Sequence, residues 1–114
     1  MTCWGDGSPL REFLYVDDLA DLCVFLMNHY SGSETVNAGT GRELTIRELT
    51  TLVAETVGYK GRITWDTTKP NGTPRKLLDV SKATRLGWTA KTTLREGLAL
   101  AYDDFLHNPM RAER

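Results

Sequence analysis

Residues 35–58 read TVNAGTGRELTIRELTTLVAETVG and carry the alternation that decides the fold class. Thr35 to Ala38 reads as a short buried strand, and Gly39-Thr40-Gly41 as the loop that leaves it. Thr45, with Glu48 three residues on, matches a capping box, the reciprocal side-chain arrangement that satisfies free N–H groups at a helix start. Ile46, Leu49, Leu52, Val53 and Val57 then recur at helical spacing, and Gly58 stands where a left-handed closing residue belongs.

The same grammar extends to both sides. Upstream, Trp4-Gly5-Asp6-Gly7-Ser8-Pro9 is a turn signal. Leu10 to Val16 reads as a strand, because Phe13, Leu14, Tyr15 and Val16 favour extended backbone. Asp17 and Asp18 precede Leu19, Leu22, Cys23, Leu26 and Met27, an apolar helical stripe expected to end near His29 and Tyr30. Downstream, Arg62 to Trp65 is a strand candidate, and Asp79 can cap a short helix ending at Gly87. Thr93 and Glu96 form a second capping-box pattern, opening a helix with Leu94, Leu98, Ala101 and Phe105 on one face. Pro109 follows its end, and residues 109–114 are expected to fray. Strands alternating with helices give an α/β or α+β class: a small mixed sheet with about four helices, in one domain over residues 1–114. Only three or four short strands are visible. The first two helices and the Thr35 to Ala38 strand are nevertheless apolar enough to expect burial on more than one side, so a covering partner is anticipated.

Composition excludes several classes. With 40% hydrophobic and 25% charged residues, the chain falls in the ordinary globular range. No apolar run approaches the ~20 residues that a spanning helix needs, and the N-terminus has no signal-peptide core. Cys3 and Cys23 suit neither a zinc knuckle nor a redox pair, so a reduced cytoplasmic chain with small buried thiols is expected, with no metal site.

Charge is local. Residues 60–76, KGRITWDTTKPNGTPRK, hold Lys60, Arg62, Lys69, Arg75 and Lys76 against the single acid Asp66, while the whole chain carries a formal net charge of -1. A cationic segment in a near-neutral protein points to a specific anion and argues against nucleic acid, which the slightly acidic balance also disfavours. Pro70, Gly72 and Pro74 stiffen and turn this loop. A stiff basic loop beside a strand suits a phosphate or diphosphate. A solvated surface loop is the alternative. Plain structural roles also cover other candidates. Arg11 can pair with Glu12 or the Asp17/Asp18 pair, Asp17 and Asp18 can cap a helix, His29 and His107 suit helix C-termini, and Trp65 and Trp88 suit a core.

Three stretches together resemble a known family: WGDGSPLREFLYVDDLADLCVFLMNH, TVNAGTGRELTIRELTTLVAETVGYKGRITWDTTKPNGTPRKLLDVSKATRLGW and TLREGLALAYDDFL. They resemble the C-terminal part of the GDP-L-fucose synthase family (GDP-4-keto-6-deoxy-D-mannose 3,5-epimerase/4-reductases), extended short-chain dehydrogenase/reductases of the NAD-dependent epimerase/dehydratase group. REFLYVDDLA marks nucleotide-sugar enzymes generally, while KPNGTPRKLLDV is the more specific element. The resemblance implies a nucleotide-sugar substrate wall made of Trp4, Arg11, Arg62, Asn71 and Lys76. Arg11 or Arg62 would fork onto a diphosphate, Lys76 would add a point charge, and Trp4 would offer an aromatic face. The family usually has an acid where Asn71 stands, and Asn can accept one guanine hydrogen but presents a donor beside it.

The resemblance places NADP binding and catalysis upstream of this region. Tyr15, Tyr30, Tyr59 and Tyr102 are followed four residues later by Leu19, Glu34, Ile63 and Leu106, never by Lys, and no glycine-rich dinucleotide cradle occurs. The expectation is a truncated substrate-binding portion without catalytic residues or bound cofactor, inactive alone. It should bind a GDP-sugar or diphosphate weakly, and should form a homo-oligomer. A standalone oligomeric module that has lost nucleotide-sugar affinity is the competing expectation.

Overall fold

The computed structural model describes residues 1–112. Five short strands form two small sheets: β1 (Thr2–Trp4) runs parallel to β4 (Thr64–Asp66), and β2 (Leu10–Arg11) lies between antiparallel β3 (Leu44–Thr45) and parallel β5 (Arg75–Lys76). The helices are α1 (Val16–His29), α2 (Ile46–Val57), α3 (Ser81–Leu86), α4 (Leu94–His107) and the single turn α5 (Pro109–Ala112), which opens the tail expected to fray. The mixed α/β reading holds.

Local chemistry explains the well-placed elements. Thr45 accepts the Glu48 N–H at 3.1 Å while Glu48 accepts the Thr45 N–H at 2.9 Å, so both halves of the α2 capping box form. Gly58 and Gly87 close α2 and α3 in the left-handed conformation. Thr93 starts α4 by accepting the Glu96 N–H at 3.2 Å. Asp79 accepts the Ser81 N–H at 2.9 Å just before α3. His29 and His107 sit in the last turns of α1 and α4, each with Nδ1 on the carbonyl four residues back.

Several expectations are corrected. The strand expected over Leu10 to Val16 is confined to Leu10–Arg11, and Val16 already opens α1. Propensity loses to a tertiary contact there: buried Asp18 accepts the Lys91 and Thr92 N–H groups and the Thr92 hydroxyl, fixing the first turn of α1 onto the segment before α4. Asp17 and Asp18 therefore do not cap α1, but they do supply the expected negative charge in its first turn. Its N-cap is Tyr15, without a side-chain bond. Thr35 to Ala38 is not a strand: no strand pairs with it among the described residues, and side chains hold it instead. Lys82 Nζ donates to Thr35 O at 3.3 Å, and Asn37 Nδ2 to Asp79 O at 3.3 Å. Cys23 is exposed and Cys3 only half-buried, so neither is a buried thiol. Trp65 is half-buried, with the Arg47 guanidinium 4.5 Å over its ring. Phe105 and Ala101 face outward on α4, whose buried position is Gly97, against Tyr15.

The core is small. Leu22, Ala83 and Trp88 are its fully buried apolar members, backed by Leu14, Phe25, Leu26, Val36, Ala38 and Ala90. α2 packs against α4 without burying any residue completely. The accessible surface is 8245 Å² for 12.8 kDa, where mass scaling gives about 6,300 Å² for a compact monomer. The radius of gyration, 16.8 Å, exceeds the roughly 13 Å of a compact domain of this length. Much of the missing burial lies on α1, where Val16, Leu19, Ala20, Cys23, Val24 and Met27 are exposed. The sequence expectation of burial on more than one side is thus answered by an apolar face left open to solvent.

Candidate functional site

Trp4 ends β1 and pairs in register with Asp66, which places it beside the cationic loop. The turn after it is fixed from three directions. Gly5 N–H donates to Asp66 O at 2.9 Å. Asp6 N–H donates to Asn71 Oδ1 at 2.8 Å, and Arg47 Nη2 donates to Asp6 O at 2.5 Å. Gly5 has φ +82°, and a Cβ there would lie 2.2 Å from Asn71 Oδ1, so glycine is required both by conformation and by the closeness of the loop. Hydrogen bonds from Ser8 to the Asp6 carboxylate hold its pKa below the usual 3.8. This scaffold leaves Trp4 69% exposed, with Lys69 Nζ 5.4 Å from its ring centroid.

The loop then folds back over β2. Leu10 N–H donates to Pro74 O at 2.9 Å, and β5 forms alongside, so that Arg11 and Lys76 become in-register neighbours on adjacent parallel strands. Neighbours in register on parallel strands project to the same face, about 4.8 Å apart. Two cations so placed repel one another, and neither has a carboxylate partner among the described residues. The expected pairing of Arg11 with Glu12, Asp17 or Asp18 does not occur. Glu12 is engaged by the N–H groups of Thr40, Gly41 and Leu78, and Asp18 by Lys91 and Thr92. Arg11 is half-buried, donates Nη1 to Leu10 O at 2.7 Å, and has Nη2 under Gly72. Arg75, by contrast, is neutralised by both oxygens of Glu43 at 2.6 and 3.0 Å.

Four of the five sequence candidates therefore gather along one loop: Asn71 beside the Trp4 turn, and Arg11 beside Lys76. Arg62 stands apart, at the opposite end of the β1–β4 ladder from Trp4 and roughly 13 Å along the strand. Its carbonyl accepts the N-terminal ammonium and the Tyr59 hydroxyl, both at 3.0 Å, while its side chain reaches solvent. Asn71 directs its amide oxygen toward the Trp4 turn, where it accepts the Asp6 N–H. Sequence reasoning missed Arg47 and Lys69 as supports of the aromatic residues. The Asp-Gly-Ser turn gave no sign that its carbonyl would reach a helix start forty residues on. Among the described residues no cluster of His, Cys, Asp and Glu could hold a metal. The site offers cations and an exposed aromatic ring, the groups that suit an anion and a planar ligand.

The fold is similar to the C-terminal part of extended short-chain dehydrogenase/reductases. The family model described as "NAD dependent epimerase/dehydratase family" matches residues 1–39. The chain is similar to GDP-L-fucose synthases. It is 64% identical over 105 residues to GDP-L-fucose synthase 1 of Arabidopsis thaliana, covering 92% of this chain and 32% of that protein. The structure of a GDP-L-fucose synthetase from Naegleria fowleri, bound to NADP, superposes with a TM-score of 0.90 at 26% identity, covering 99% of this chain and 36% of the other. A GDP-mannoheptose C4 reductase from Campylobacter jejuni with NADP bound gives 0.81 at 32% identity, covering 92% and 34%. The chain spans about a third of the length of the curated relatives it matches. No helix among the described residues is long and apolar enough to cross a membrane.

Proposed function

We propose that this chain is the nucleotide-sugar-binding portion of an NADP-dependent epimerase/reductase of the GDP-L-fucose synthase type, acting in the cytoplasm and inactive by itself. The observation that carries the reading is the Arg11–Lys76 pair, two adjacent cations without a counter-ion among the described residues, beside an exposed Trp4. A diphosphate relieves their repulsion and gains charge-assisted hydrogen bonds from the guanidinium. Trp4 then covers the base or the sugar. Arg62 meets the far end of an extended ligand. Asn71 has one acceptor oxygen, which already takes the Asp6 N–H, and a donor beside it, so it cannot accept both guanine donors as a carboxylate does, and preference for GDP over UDP is slight. Every cation of the wall except Arg11 is open to water, where ion pairs are weak, so the affinity is on the order of millimolar.

The test is NMR shift mapping with GDP and UDP. Shifts should cluster on residues 4–11 and 69–76, and should collapse in Arg11→Ala and Lys76→Ala while Arg62→Ala loses less. Shifts elsewhere, or indifference to all three substitutions, reject the reading. Catalysis is tested separately: the purified chain should neither bind NADP(H) nor oxidise NADPH with GDP-4-keto-6-deoxymannose, because the glycine-rich cradle and the Tyr-x-x-x-Lys spacing are absent from the sequence. Measurable turnover would overturn this. A second reading, a standalone oligomeric module without nucleotide affinity, is favoured by the exposed apolar face of α1 and takes the lead if no nucleotide shifts any resonance.

A further inference from the structure

Arg11 and Lys76 stand in register although β5 is only two residues long and every residue from 67 to 79 is exposed. Strands this short are marginal in water, so other contacts must hold the loop on β2. Two carboxylates do so, one on each side of Lys76. On the upstream side Glu43 binds Arg75, but the Arg75 side chain is 61% exposed, and exposed ion pairs are weak. On the downstream side the Leu78 N–H donates to Glu12 Oε1 at 3.1 Å. Glu12 directly follows Arg11, so this bond ties the neighbour of one cation to a residue two positions past the other.

The second Glu12 oxygen is equally engaged. Oε2 accepts the Gly41 N–H at 3.0 Å, the Thr40 N–H at 3.2 Å and the Thr40 hydroxyl at 3.4 Å. Hydrogen bonds to an ionised acceptor are the stronger class, and Glu12 is half-buried. The 39–41 loop is shaped around this carboxylate. Gly39 is buried, and a Cβ there would meet Glu12 Oε1 at 2.8 Å and Oε2 at 2.9 Å. Its φ lies outside the left-handed region, so the carboxylate, not the backbone conformation, excludes a side chain. Among the described residues Glu12 makes no ion pair with Arg11 or Lys76. Its charge is directed to backbone N–H groups, and the two cations stay un-neutralised.

We propose that Glu12 is a positioning residue of the anion site: it pins the 39–41 loop and the end of β5 to β2, and so sets the Arg11–Lys76 separation that a diphosphate meets. The inference rests on the reading of those two cations as a diphosphate site. Its test uses the purified full chain, with inorganic pyrophosphate and GDP as probes. Glu12→Gln keeps the length of the side chain but removes the charge and one acceptor oxygen. Without ligand, it should erase the cross-strand NOEs between residues 10–11 and 75–76 and speed exchange of the Leu78 amide, while the resonances of the α2 capping box and the Trp88 indole stay in place. With either probe, binding should weaken about tenfold, and Lys76→Ala should weaken it no further in the Glu12→Gln background, because residues acting through one another are non-additive. A role confined to folding predicts additive losses. Gly39→Ala keeps the carboxylate but displaces it, and should reproduce both effects. Cross-strand NOEs that survive in both variants overturn the proposal, and so do additive losses with Lys76→Ala. If the unsubstituted chain binds neither probe, the diphosphate reading alone fails, and loss of the NOEs in the variants still supports the positioning. If Glu12→Gln fails to fold, Gly39→Ala decides by the same NOEs and the same pairing with Lys76→Ala.

Discussion

At the scale of single residues, the position that most constrains the site is Gly5. Its φ of +82° is unfavourable for any side chain, and a Cβ would strike Asn71 Oδ1. Gly5→Ala should therefore cost about 1–3 kcal/mol, the range for strained left-handed backbone, and should detach the Asn71 loop from the Trp4 turn. Chemical denaturation checks the first effect, and loss of the Asp6 amide's NMR protection checks the second. Asp6 and Asp79 add a pH dependence. Hydrogen bonds from Ser8 and Ser81 respectively lower their pKa values below 3.8. A depressed folded-state pKa gives stability that is fully present above the unfolded value and is lost as pH falls through the folded one. Stability should thus decline below about pH 4, the ordinary carboxylate range, and Asp6→Asn with Asp79→Asn should flatten that decline in urea melts taken from pH 6 to pH 2.

Elements show how far the sequence could be read. The α2 capping box was visible because every participant lies within four residues, and the same locality explains Gly58, Gly87 and the start of α4. Thr45→Ala should accordingly cost about 1 kcal/mol in a denaturant melt, the usual value for a lost N-cap. Elements set by distant partners were not visible. Phe13 to Val16 has strand propensity, but Asp18 binds N–H groups more than seventy residues away and draws the segment into a helix. Thr35 to Ala38 has strand composition without a strand beside it, so side chains of Asn37 and Lys82 hold it instead. For the site, residue types were legible and placement was not. The basic loop announced itself by composition, yet nothing local shows that Lys76 would stand in register with Arg11 or that Arg62 would lie at the far end of another ladder. Asn71 is legible as a polar loop residue, while the direction of its amide depends on Gly5 and Asp6, more than sixty residues upstream.

At the scale of the whole molecule, stability should be uneven. The fully buried apolar residues Leu22, Ala83 and Trp88 tie α1 to α3 and to the strand-like segment at Val36 and Ala38. The α2–α4 pair has no such anchor: α2 buries nothing completely and α4 only Gly97. The β1–β4 ladder is three residue pairs long, and residues 67–79 are exposed throughout. Free energies of local opening follow buried apolar contact, so these regions should open separately. Native-state hydrogen exchange should find the slowest amides at the centre of α1, around Leu22 to Leu26, and intermediate protection in α2 and α4. The 67–79 loop should exchange fastest. Saturating the basic wall with GDP should slow residues 69–76 selectively, because a ligand stabilises the state it binds. One uniform opening free energy for all amides would contradict this division, and it would mean that the small core at Leu22 organises the whole chain.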